Sequence, residues 1–107
     1  MFCTIGGEKV FPEEVEEAVK RVAGVRDCLV VGVDDDRFGQ AVTAVVSLDS
    51  VVATDAATVI GAVKTEMAGY KAPRHVVFVD EVPRAPNGKA DHRTARERAA
   101  AAHAATG

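Results

Sequence analysis

The sequence predicts an α+β domain: a small, largely antiparallel three-stranded sheet packed with helices and preceded by a short N-terminal hairpin or turn. Three observations carry that expectation. Two segments place apolar residues at helical spacing, and an Ala- and Arg-rich third follows an acidic capping residue. Three short runs are rich in β-branched residues, as strands are. The order along the chain is turn or hairpin, helix, strand, strand, helix, strand, loop, helix. A chain of 107 residues has room for one hydrophobic core and not two, so a single domain over residues 1–107 is expected.

Gly6-Gly7 is the first turn signal, followed by Glu8-Lys9-Val10-Phe11 and Pro12. Proline suits the first position of a helix, and Glu13 and Glu14 complement the positive end of its dipole. Val15, Ala18, Val19 and Val22 then recur at i, i+3, i+4 and i+7, one stripe facing a core. Glu16–Lys20 and Glu17–Arg21 read as i, i+4 ion pairs on the opposite face, and Gly24 supplies the stop. Residues 27–33 and 41–48 are apolar runs joined by a polar loop containing Asp34-Asp35-Asp36 and Gly39. Such neighbours are expected to pair antiparallel. Thr54 or Asp55 caps a second helix whose stripe is Ala56, Val59, Ile60, Val63 and Met67, ended by Gly69. Pro73 biases Ala72 away from helix, residues 75–79 form the third strand, and Asp91 caps a last helix from Arg93 to about His103.

Composition narrows the function. A formal net charge of −3 argues against a general nucleic-acid binder, which would carry a basic excess. No apolar run approaches the roughly 18 residues that span a bilayer, and no signal-peptide pattern is present, so no membrane span and a cytoplasmic location are expected. Cys3 and Cys28 form no CxxC pair and read as two thiols in a reducing compartment. His75, His92 and His103 have no metal-ligand spacing, and no metal site is expected.

The chemistry concentrates at Pro83-Arg84-Ala85-Pro86-Asn87-Gly88-Lys89. A Pro/Gly-built loop between a strand and a helix holds one cation at a fixed place beyond the sheet, where it can meet an anion. Asn87-Gly88-Lys89 is not a nucleotide-binding P-loop, because Pro83 stands where a glycine is needed and Ala90 where a Ser or Thr is needed. Taken alone, Lys89 reads as a solvated lysine in a surface turn. Gly6-Gly7 reads as an ordinary turn or as a loop stripped of side chains so that its backbone can approach a ligand. Lys71 and Arg74 flank Pro73 and are either surface cations or phosphate ligands. The three aspartates lack calcium-loop spacing and read as a solvated loop.

Together these segments carry more. Gly6-Gly7-Glu8-Lys9-Val10-Phe11-Pro12-Glu13-Glu14-Val15-Glu16 resembles the glycine-containing motif that opens the C-terminal domain of adenylate-forming (AMP-binding) enzymes. Val31-Gly32-Val33-Asp34-Asp35-Asp36-Arg37-Phe38-Gly39-Gln40 is similar to the next signature of that domain. Gly69-Tyr70-Lys71-Ala72-Pro73-Arg74 and the loop ending in Lys89 resemble the last two, in the same order. Gly7-Glu8-Lys9-Val10 and Gly88-Lys89-Ala90-Asp91-His92-Arg93 look closest to fatty-acyl-CoA ligases.

The resemblance implies ATP-dependent activation of a carboxylic acid to an acyl-adenylate, rotation of the small domain, and thioester formation with coenzyme A. ATP with Mg2+, and coenzyme A, would be co-substrates that require an N-terminal adenylation domain, which is absent from this chain; the isolated domain is expected to be inactive. Lys89 matches the adenylation lysine. Gly6, Gly7 and Glu8 match the loop bordering the coenzyme A channel, Glu14 and Glu16 read as helix-start and packing residues, and Lys71 and Arg74 are offered as coenzyme A phosphate contacts. Thr4 stands where many members have Lys or Asn. Thr94 and Ala95 replace larger apolar residues, which points to looser docking of the last helix. The competing expectation is a self-standing, non-catalytic module of the same fold that binds coenzyme A or another protein.

Overall fold

The computed structural model describes residues 3–5, 8–35, 39–49, 54–67 and 72–106. Strands β1 (Cys3–Ile5) and β2 (Glu8–Val10) form the expected N-terminal hairpin, with Ile5 opposite Glu8. Helix α1 (Pro12–Lys20) follows, with Pro12 at its start and Glu13 and Glu14 in its first turn. Strands β3 (Val25–Asp35) and β4 (Gly39–Leu48) pair antiparallel. Helix α2 (Ala56–Glu66) leads to β5 (His75–Val79), and α3 (His92–Thr106) closes the order.

The larger sheet has the order β3-β4-β5. Its first pair is antiparallel as expected, but β5 joins β4 in parallel, Thr43 opposite His75 and Ser47 opposite Val79. The reason is α2. A hairpin reverses the chain, whereas a helical crossover returns it to the same end of the sheet, so the strand after the helix runs with its neighbour.

Helices cover both faces. Val15, Ala18 and Val19 of α1 and Val59 and Val63 of α2 pack with Cys28, Val30, Val42, Ala44 and Val46. On the other face Ala95 and Ala99 of α3 meet Leu29, Val31, Val33, Val45 and Val82. A strand buried on both sides must be apolar at odd and even positions alike, which is why β3 and β4 read as continuous runs and not as alternations. Ala95 and Ala99 are fully covered; the small residues seat α3 directly on the sheet, contrary to the looser docking expected.

Two ion pairs expected on α1 are not formed. Glu16 is buried and turns inward, Lys20 Nζ lies 4.0 Å from Glu17 and 3.9 Å from Asp27, and Arg21 binds Glu66 of α2, with its Nε 3.3 Å from Oε1. Glu16 flanks the apolar stripe beside Pro12 and Val19, so a helix face as wide as this one takes it in. Its Oε2 accepts the Val30 N–H at 2.9 Å and lies 2.8 Å from Nε2 of His92. The first of these bonds satisfies an outward-pointing donor of edge strand β3.

The caps settle two open boundaries. Asp55, not Thr54, caps α2, its Oδ1 accepting the Thr58 N–H at 2.8 Å. Asp91 caps α3 through the Thr94 N–H at 3.1 Å and the Thr94 hydroxyl at 2.7 Å, and α3 continues to Thr106, past His103. Of the α2 stripe, Val59 and Val63 are buried while Ala56, Ile60 and Met67 are half-buried. Cys28 is a free, buried thiol; burial pushes its pKa up, so it packs as a small apolar residue. Among the described residues no helix is long and apolar enough to cross a membrane.

Hydrogen bonds to Thr58 and Thr94 hold the Asp55 and Asp91 carboxyls below the usual carboxylate range. A folded pKa below the unfolded one gives stability that is present above the unfolded value and lost as pH falls through the folded value. The urea midpoint should therefore drop as pH is lowered below about 4. The double variant Asp55→Asn, Asp91→Asn should show a shallower drop by circular dichroism; an unchanged slope would refute the assignment.

Candidate functional site

Lys89 lies in a loop closed by its own backbone. Arg84 and Ala90 face each other in an isolated antiparallel bridge, and the Asp91 N–H donates to the Pro83 carbonyl at 3.2 Å beneath it. Inside the bridge, the Ala85 N–H donates to the Lys89 carbonyl and the Gly88 N–H to the Ala85 carbonyl, each at 2.8 Å. Asn87 Oδ1 accepts the Lys89 N–H at 3.1 Å, the local side-chain turn for which asparagine is suited. Gly88 has φ +85° with open space where a Cβ would point. Glycine is needed there for backbone conformation and not for room.

The loop is tied to both ends of the structural framework around it. Val82 is buried against the α3 face of the sheet, and Asp91 joins the loop's base to the start of α3. Arg84 reaches β3, where its Nε and Nη2 lie 2.8 and 2.7 Å from the two carboxylate oxygens of Asp27. Its Nη1 donates to the Gly88 carbonyl at 3.2 Å. Bonding to Arg84 holds the Asp27 carboxyl below the usual carboxylate range, and the same contact raises the guanidinium. The Lys89 residue itself is exposed, and among the described residues it has no carboxylate within ion-pair distance. The arrangement presents one unpaired ammonium group on a backbone-bonded loop, able to neutralise an anion brought up to it.

Gly6, Gly7 and Lys71 lie outside the described residues; Glu8 begins β2. Arg74 is exposed at the start of β5, where its N–H donates to the Val42 carbonyl at 2.8 Å. It borders a cavity of about 340 Å³ between β5, α2 and α3, lined also by Thr43, Ile60, His75 and Ala99. Asp27, the anchor of the Lys89 loop, is opposite Ser47, whereas Arg74 precedes the His75–Thr43 pair. Those rungs are at opposite ends of β5, roughly 13 Å apart at the rise of a strand. The Asp27–Arg84 and Glu16–His92 pairs escaped the sequence reading. They join residues 57 and 76 positions apart, and no local spacing signals them.

Comparison with known proteins gives this geometry a relation. The sequence model of one family, the AMP-binding enzyme C-terminal domain, matches residues 14–89. The chain belongs to the AMP-binding enzyme C-terminal domain family. The family match ends on Lys89 and contains Arg74, while Gly6, Gly7 and Glu8 precede it.

Similar full-length proteins include the 3-oxocholest-4-en-26-oate–CoA ligase of Rhodococcus rhodochrous, 50% identical over 92 residues. Another is the medium/long-chain-fatty-acid–CoA/3-oxocholest-4-en-26-oate–CoA ligase of Mycobacterium tuberculosis, 53% identical over 92 residues. Each alignment covers 86% of this chain and 17% of the relative. Among solved structures, a Mycobacterium tuberculosis fatty acyl CoA synthetase superposes with a TM-score of 0.88 at 32% identity, over 94% of this chain and 20% of that one. MatB from Rhodopseudomonas palustris gives 0.88 at 35% identity, with the same 94% and 20% coverage. This AMP-binding enzyme C-terminal domain thus spans less than a quarter of the length of the proteins it matches.

Proposed function

We propose that the chain serves as the C-terminal domain of an acid–CoA ligase, with Lys89 acting in the adenylation step. The observation that carries this reading is the Lys89 loop: a cation without an acidic partner among the described residues, on a backbone closed by hydrogen bonds, at the end of the family match. In the first half-reaction a carboxylate oxygen attacks the α-phosphorus of ATP and pyrophosphate leaves. Two anions must approach, and a positioned ammonium offsets their repulsion as charge develops between them. In the second, the thiol sulfur of coenzyme A attacks the acyl carbon, AMP leaves and the thiol proton goes to solvent.

The N-terminal adenylation domain is the proposed partner, and the acyl-adenylate and coenzyme A are the species met between the two domains. Mg2+ enters with ATP on that partner's side; among the described residues no group of three His, Cys, Asp or Glu is placed to hold a metal. Gly6, Gly7 and Glu8 are proposed to border the coenzyme A channel after rotation, and Lys71 and Arg74 to meet its phosphates. The separation of Arg74 from the Lys89 anchor along β5 supports two working surfaces used in turn. Both curated relatives above have apolar carboxylic acids in their names, so an apolar carboxylic acid is the proposed substrate class.

The test is a chimera. Joined to the large domain of the Mycobacterium tuberculosis relative in place of that protein's own C-terminal stretch, this chain should support ATP-dependent thioester formation from a fatty acid. A folded chimera that makes neither acyl-adenylate nor thioester, where the parent ligase makes both, would overturn the proposal.

A further inference from the structure

A β-bulge interrupts β3 near its start: Val25 is opposite Leu48 and Asp27 opposite Ser47, leaving Arg26 as the extra residue. Bulges twist a strand and re-aim its side chains. Here both Arg26 and Asp27 grip the segment that leads to Lys89. Arg26 Nη2 donates to the Asp80 carbonyl at 2.7 Å, just beyond β5. Asp27 takes the Arg84 guanidinium on both of its oxygens. Asp27 is itself held, its Oδ1 accepting the Cys28 N–H at 2.9 Å and lying 3.9 Å from Lys20 Nζ.

We propose that the Arg26–Asp27 bulge and Arg84 form a clamp that sets the position of Lys89, with Arg84 a positioning residue acting through the Gly88 carbonyl. The inference rests on the reading of Lys89 as the adenylation lysine. The two-oxygen fork to Asp27 fixes the plane of the guanidinium, a geometry that lysine cannot reproduce. The third nitrogen, Nη1, then fixes the carbonyl of the peptide that enters Lys89. A lysine side chain has four rotatable bonds, so the loop can aim its ammonium only by holding the backbone from which it springs. Misplacing a reacting contact by about 1 Å can cost on the order of a hundredfold in rate. The clamp also consumes the charge of Arg84 on Asp27, so that of the two cations of this loop it is Lys89 that is left to meet substrate.

The test has an arm on this chain and an arm on the two-domain ligase. In amide hydrogen exchange by NMR, Arg84→Lys and Asp27→Ala should each speed exchange at Ala85, Gly88, Lys89 and Asp91 by roughly tenfold. The sheet amides of Leu29 and Val45 should keep their protection and report that the fold is intact. The double variant should add little to either single one, because both break the same contact. In the ligase, Arg84→Lys should lower kcat for acyl-adenylate formation by about tenfold, with KM values and the thioester half-reaction unchanged.

Exchange at the loop unaltered in folded variants, or strictly additive effects, would overturn the clamp. So would an adenylation kcat that ignores Arg84→Lys in a ligase that Lys89→Ala disables. A ligase that tolerates Lys89→Ala while Arg84→Lys still loosens the loop would overturn the role of Lys89 and leave the clamp standing as structure.

Discussion

Replacing Lys89 with Ala in the two-domain ligase should suppress acyl-adenylate formation by about 10²–10³-fold, while thioester formation from supplied acyl-adenylate stays close to normal. The asymmetry follows from the chemistry. In adenylation a carboxylate must reach a polyphosphate, and removing a cation positioned between them restores part of the repulsion at the moment of bond formation. In thioester formation the acyl group is already activated and the attacking atom is sulfur, so a lysine that belongs to the first step has nothing to stabilise. The domain itself should stay folded, because Lys89 is exposed and its loop is closed by backbone groups and Asn87; such surface changes usually cost less than about 0.5 kcal/mol. Lys89→Arg should recover only part of the rate, since it keeps charge but alters reach and shape. The measurement is pyrophosphate release set beside thioester formation from synthetic acyl-adenylate. Equal losses in both would remove Lys89 from the adenylation step.

How far the sequence reveals this arrangement depends on how far apart the interacting residues lie. The stripe of Val15, Ala18 and Val19, the strand at residues 75–79 and the Asp91 cap are local patterns, and each is legible within a few residues of itself. The Pro/Gly composition around Lys89 likewise announces a stiff loop with a cation at its end. What holds that loop is not legible, because Asp27 and Arg84 meet only after the sheet has formed. The parallel pairing of β5 is also hidden. Two β-branched runs say that strands exist, whereas the direction of the second is set by α2 between them. Glu16 shows how a local rule can mislead. Its spacing to Lys20 fits a surface ion pair, yet the apolar face of α1 extends beside it and the edge of β3 has a donor to satisfy. A buried N–H with no other acceptor outweighs an exposed ion pair worth well under about 1 kcal/mol.

Glu16→Ala should accordingly be among the costliest polar substitutions in the chain, lowering stability by about 2–4 kcal/mol and the melting temperature by on the order of 10 °C. One oxygen of Glu16 takes the Val30 N–H and faces Nε2 of His92, so three elements, α1, β3 and α3, share a single acceptor. Alanine would leave the Val30 donor and the imidazole without it, in a place where Glu16 is only 6% exposed. His92→Ala should cost less, because Val30 keeps its partner, and Glu16→Gln should fall between the two, since an amide carbonyl can still accept. Urea unfolding of the four proteins followed by circular dichroism would rank them; a Glu16→Ala loss below about 0.5 kcal/mol, the range of ordinary surface changes, would contradict the shared-acceptor account. The contrast with Lys89 is the useful control. Glu16 is buried and its oxygen is taken up by Val30 and His92, so in the folded fraction of the ligase its loss should leave the ratio of the two half-reactions unchanged, whereas Lys89→Ala shifts that ratio and leaves the fold alone.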